Sequence, residues 1–254
     1  MKRSGLTRMR VAYARLVTDD PLAQVAELEG VGMAAAHARD SIDALLRHPA
    51  MRRDAARVAA ESAVRGARAS AELEGADPED LADPVVQGAL RVVGEVPGLA
   101  AIWDQAPRQA LARMHMLAAR DLVEDDALGR PRSGADAERV AQILTLATAP
   151  TEAPAVVVAA LVHAEIASVR PFGSADGVVA RAAERVILVS RGVDTKAVSV
   201  PEVGHHALAR GYGPSLNAYV SGEADGVGAW VRHCADGYAR GAEEGLAIAG
   251  GALD

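Results

Sequence analysis

HAEIASVRPFGSADGVVARAAERVILVSR, residues 163–191, is the stretch whose reading decides the fold. An apolar run, AVVVAALVHAEI at 155–166, leads into it, and a polar loop, RPFGSADG at 170–177, interrupts it. A second helical segment, VVARAAERVILVSR at 178–191, leaves the loop. A loop that opens onto a helix N-terminus gathers free backbone N–H groups and the positive end of the helix dipole. Such a place suits a phosphate.

In its spacing the loop resembles the active-site motif of the Fic/Doc (Fido) family, H-P-F-x-[D/E]-G-N-G-R-x-x-R between two helices. Pro171, Phe172, Gly177 and Arg181 stand in frame with it, without insertion or deletion. Arg170 stands at the family's catalytic His, Ser174 at its metal-binding acid and Ala175 at a Gly. Asp176 replaces the phosphate-contacting Asn, and Val178 the first motif Arg. The resemblance implies an all-α, Fic-like helical domain. In active members the His takes a proton from a protein hydroxyl, and AMP or another phosphate-containing group is transferred to it from ATP held with Mg2+.

Each replacement has a chemical consequence. The Arg170 guanidinium stays protonated and is no general base, though it can bind phosphate or pair with Glu165 or Asp176 at a helix end. The neutral hydroxyl of Ser174 is a poor sole protein ligand for Mg2+. Asp176 brings negative charge to the phosphate position and reads best as an N-cap that takes the amides an anion would need. Arg181 remains as the cation facing the anion site, with Glu184 as a local alternative partner. The nucleotide- or anion-binding candidates are therefore Arg170, Ser174, Asp176, Gly177 and Arg181. No catalytic residue and no metal ligand is assigned.

A second resemblance lies upstream. Ser70-Ala71-Glu72-Leu73-Glu74-Gly75 matches the inhibitory-helix motif of regulated Fic proteins, [S/T]-x-x-x-E-[G/N]. It closes an Ala-rich helix expected over 51–75, whose inward stripe is Ala55, Val58, Ala59, Ser62, Gly66, Ala69 and Leu73. Glu before Gly at such a helix end also has a plain reading as a C-terminal stop. The family assigns Ser70, Glu74 and Gly75 an inhibitory role, in which the Glu pairs with the second motif Arg, here Arg181, and displaces the γ-phosphate of ATP.

Composition agrees with an all-α chain. Half of the 254 residues are hydrophobic while aromatics are only 3%, so the core must come from small side chains on closely approaching helices. The net charge of −7 disfavours a nucleic-acid surface. The basic start, MKRSGLTRMR, lacks the apolar core of a signal peptide, and no apolar run has the length of a membrane span. The lone Cys234 excludes an intrachain disulfide and a cysteine-based zinc cluster. The chain reads as cytoplasmic.

Residues 1–20 are polar and read as loosely ordered, with a helix start at Asp19-Asp20-Pro21. Helical periodicity covers 22–46 with a soft break around Gly30 and Gly32, stops at His48-Pro49, and returns at 81–96, 110–122 and 135–148. Pro97, Gly98 and Pro107 mark connections. Between 124 and 134, EDDALGRPRSG carries no alternating strand pair, so the family's flap hairpin is reduced or absent. Short helices fill 193–223, and a last helix covers 226–248. His163 reads as a core hydrogen-bonding residue. His205-His206 with Glu202 reads as an exposed turn rather than a zinc site.

The organisation expected is an N-terminal polar segment and helix at 1–48, then a Fic-like domain at 49–254. The preferred reading is a Fic-fold protein with a degenerate motif, lacking AMP-transferase activity and serving as a regulatory or binding protein for an unidentified protein partner. The alternative is a divergent enzyme of that superfamily, using ATP/Mg2+ and another base. The small-residue stripes of the terminal helices serve either a homo-oligomer or packing within one chain.

Overall fold

A computed structural model describes residues 20–251. It is all-α, and among the described residues there is no β-strand. The helices are α1 (Pro21–Ala26), α2 (Val31–Arg47), α3 (Ala55–Leu73), α4 (Pro84–Gly94), α5 (Val96–Trp103) and α6 (Pro107–Ala118). They continue with α7 (Ala137–Thr148), α8 (Ala155–Val169), α9 (Asp176–Ser190), α10 (Pro201–Ala207), α11 (Ala209–Val220) and α12 (Ala224–Gly250).

The two helices flanking the loop form the centre. Every residue of α8 from Val156 to Ile166 is buried, as is every residue of α9 from Val178 to Leu188. A helix apolar or buried all round sits inside a fold rather than on it. The pair packs against each other, α5 and α6 cover α9, and α7 and α12 cover α8. The long α12 also lies against α2, α10 and α11, while α3 lies against α4 and α10. No single described helix is long and apolar enough to cross a membrane.

Small residues allow these approaches. A Cβ added at Gly204 on α10 would run into the Gly237 carbonyl on α12, and one added at Gly88 on α4 into the Ala118 carbonyl at the end of α6. Tryptophans fill the few wide gaps: Trp103 and Trp230 are fully buried, and the Trp230 indole N–H donates to the Ala160 carbonyl at 2.7 Å.

Several boundaries differ from the sequence expectation. The helix start at Pro21 is capped by the Asp20 carboxylate, which accepts the Ala23 N–H at 3.1 Å; the rest of the polar N-terminal segment lies outside the described residues. The helix over 22–46 is divided into α1 and α2, with Gly30 at φ 73° starting the second. The helix expected from residue 51 begins only at Ala55, because a 3-10 turn, Pro49–Arg52, comes first. Residues 81–96 also hold a helix break: α4 ends at Gly94 and α5 begins at Val96. Pro97 therefore lies in the first turn of α5, where a missing N–H costs nothing. Between α6 and α7 the chain runs through turns, with no hairpin.

Candidate functional site

Helix α3 ends over the N-terminus of α9. Its last turn delivers Ser70 and Glu74 to Arg181, whose side chain is buried. Arg181 donates Nε–H to Ser70 Oγ at 2.9 Å and Nη2–H to the Ser70 carbonyl at 3.0 Å and to Glu74 Oε1 at 2.7 Å. Burial works against the guanidinium, yet the Arg181 pKa is raised, because the Tyr212 hydroxyl and the Glu74 carboxylate face it. Glu184, the local alternative partner, forms no ion pair with Arg181; it is bonded to histidines instead. Gly75 follows with φ 87°, a left-handed helix stop that glycine reaches without strain.

Glu74 also touches the loop. A Cβ added at Gly177 would run into Glu74 Oε1, so the in-frame glycine is what lets this carboxylate lie against the start of α9.

Asp176 behaves otherwise than an N-cap. The N-cap of α9 is Ala175, and Asp176 is the first helical residue. Its carboxylate turns back and accepts the Phe172 N–H at 3.0 Å and the Gly173 N–H at 2.7 Å. The loop amides thus have an acceptor inside the chain, though not through the capping geometry expected. Burial raises the Asp176 pKa, against the lowering effect of those two N–H bonds and of the Arg170 and Arg132 charges. Arg170 Nε lies 3.9 Å from Asp176 Oδ2, with the Arg170 side chain 65% exposed. Glu165, the other partner considered for Arg170, is engaged by Arg139 and Tyr219 instead.

Two loop residues adopt left-handed backbone without being glycine: Arg170 at φ 49° and Ala175 at φ 51°. Ala175 is the residue that turns the chain into α9. The cost for a residue with a Cβ is about 1–2 kcal/mol.

Two residues from elsewhere complete the surroundings. His115 on α6 stacks on Phe172, ring centroids 4.0 Å apart, and its Nε2 lies 3.0 Å from Ser174 Oγ. Its Nδ1 accepts the Gly129 backbone N–H at 2.9 Å, so Nε2 carries the proton and donates to Ser174. Burial lowers the His115 pKa to about 4. A neutral imidazole in that tautomer is a donor to the hydroxyl and no base for it, the reverse of a nucleophilic Ser–His pair. Arg132, from the turn-rich link, closes the other side. Its backbone N–H bonds the Pro171 carbonyl at 2.8 Å, Nε–H the Arg170 carbonyl at 2.8 Å, and Nη2–H the Val169 carbonyl at 3.2 Å.

Loop, α9 start and α3 end therefore come together, with Arg170, Ser174, Asp176, Gly177, Arg181, Ser70, Glu74 and Gly75 within one neighbourhood. His115 and Arg132 were not identified from the sequence. His163 is buried and bonded to Glu184, as expected. The exposed-turn reading of His205-His206 is corrected in part: both lie on helix α10, and His205 is fully buried beside Glu184 while His206 is 41% exposed. Glu202 is bonded to Arg185 rather than to either histidine.

A scan against protein-family models finds no match. A search of curated proteins finds none either. Among solved structures, the chain is similar to a Fic family protein from Desulfovibrio desulfuricans G20, with a TM-score of 0.64 at 17% sequence identity. The likeness covers 84% of this chain and 74% of that one. The chain has the fold of a Fic protein.

Proposed function

We propose that this chain is a Fic-fold protein with a degenerate motif, without AMP-transferase activity, that serves as a regulatory or binding protein for a protein partner. The observation carrying this reading is the Asp176 carboxylate on the Phe172 and Gly173 amides, at 3.0 and 2.7 Å. These N–H groups are the donors a phosphate would need, and a like charge already holds them. Glu74 adds a second carboxylate against Gly177 and Arg181. Arg170 supplies no base, Ser174 no carboxylate for Mg2+, and Arg132 ties down the loop through the carbonyls of Val169, Arg170 and Pro171.

The test is a calorimetric titration with ATP and Mg2+, together with labelling by α-phosphate-labelled ATP, on the wild type and Glu74→Gly. No incorporation is expected from either protein. A second reading, a divergent transferase, draws support from one feature: a histidine, His115, does reach the loop. Its pinned tautomer weighs against a base role. Incorporation that disappears on Arg181→Ala would establish the second reading over the first.

A further inference from the structure

Below the loop, α8, α9, α10 and α12 each send one side chain to a common point. His163, Glu184, His205 and Cys234 are all buried, and one potential ligand atom from each lies within 4.8 Å of the others. We propose that these four residues form a binding site for a divalent transition-metal ion of the zinc type. Two imidazoles, a carboxylate and a thiolate are a tetrahedral ligand set in number and in kind. Sulfur and nitrogen donors favour zinc or a similar borderline ion over Mg2+ or Ca2+.

The geometry is near what an ion requires. His205 Nε2 lies 2.9 and 3.2 Å from the Glu184 oxygens, and His163 Nδ1 2.5 Å from Oε2. Ligand atoms about 2.0–2.1 Å from zinc stand roughly 3.3 Å apart in a tetrahedron. The cluster must open by less than an ångström at its tightest edge and draw in by about an ångström at its widest, where ligand atoms stand up to 4.8 Å apart.

Charge and surroundings also fit. One carboxylate and one thiolate neutralise a divalent cation, which removes the main objection to burying it. On binding, the Cys234 thiol loses its proton to solvent, and each imidazole proton moves to the ring nitrogen away from the ion. At His163 that nitrogen, Nε2, lies 2.5 Å from the Tyr212 hydroxyl, the outer hydrogen bond a metal-bound histidine requires. Tyr238 OH, 3.0 Å from Glu184 Oε2, orients the carboxylate. His205 Nδ1 has no partner and would become an unpaired N–H, a small cost beside the binding energy of four ligands.

The site would join four helices around the centre of the fold. Glu184 sits one turn beyond Arg181, so the ion would also hold the helix that carries the Glu74 contact.

The experiment uses the full chain, refolded with one equivalent of Zn2+ or Co2+ because the ligands are closed to solvent. About one tightly held zinc per chain is expected by elemental analysis. With Co2+ the expected spectrum has the intense ligand-field bands of a four-coordinate ion and a thiolate charge-transfer band. Cys234→Ser should lose that band, and Tyr212→Phe should weaken affinity by about 10–100-fold. Absence of stoichiometric metal, with no charge-transfer band in the wild type, overturns the site whatever the variants do. The result would then be a polar core held by hydrogen bonds alone; one equivalent of zinc held with unchanged affinity in Cys234→Ser also overturns the site, since the ion would then sit elsewhere.

Discussion

Arg181 Nη2 donates to Glu74 Oε1 at 2.7 Å across 107 positions of chain, and the same guanidinium holds both the hydroxyl and the carbonyl of Ser70. The arginine is 2% exposed and the Glu74 side chain 33%. A contact half open to solvent is worth less than a buried one, but it neutralises a charge with nowhere else to go.

Glu74→Gly should therefore destabilise the fold by about 1–2 kcal/mol, and Ser70→Ala by about 1 kcal/mol. Denaturant titration of Glu74→Gly, Arg181→Ala and the double variant gives the coupling between them. Strict additivity of the two changes would mean that the contact contributes nothing.

Gly177→Ala asks the same question from the opposite side. The new Cβ meets the far end of the Glu74 side chain, which can swing away. The substitution is expected to cost about 1–2 kcal/mol in the wild type and under about 0.5 kcal/mol in Glu74→Gly. Equal costs in the two backgrounds would place the strain elsewhere.

Ala175→Gly removes a Cβ from a left-handed residue, φ 51°. Relief of the steric cost outweighs the added freedom of the unfolded chain, so a net gain of about 0.5–1 kcal/mol is expected. Thermal melting reads it directly; a lower melting temperature would contradict the assignment of strain.

Stability should fall in mild acid. The His115 pKa is lowered from 6.5 to about 4 by burial, so between those values the unfolded chain binds the proton and the native one does not. This contribution is complete above pH 6.5 and is lost as pH falls to about 4, on the order of 3 kcal/mol. His163 and His233 are lowered by burial and act in the same direction, while Asp176, raised by burial, acts oppositely. Chemical denaturation at pH 7 and pH 5 should show a smaller difference for His115→Asn than for the wild type.

The loop and the end of α3 were legible because their residues lie in an ordered spacing along the chain. His115 and Arg132 were not. They reach the loop from 59 and 38 positions away, and neither has a local pattern that distinguishes it from an ordinary helix or surface residue. The orientation of Asp176 was misread for a related reason. An acidic residue before a helix is ordinarily a cap, but here Ala175 takes the left-handed turn and places Asp176 inside the first turn. His205 lies on a short helix, Pro201–Ala207, whose burial depends on Gly204 meeting the glycine-lined face of α12, a pairing between distant segments that no local pattern marks.

Ala175 has one more consequence. A residue kept in a conformation it disfavours shows that the flanking helices, rather than the loop's own preferences, dictate the shape of the mouth. Such a mouth is tolerant of drift: side chains along it can be exchanged while the path of the backbone persists. The same tolerance makes the loop open to redesign, since new side chains at 170, 174, 176 and 178 would enter a backbone whose path is already set.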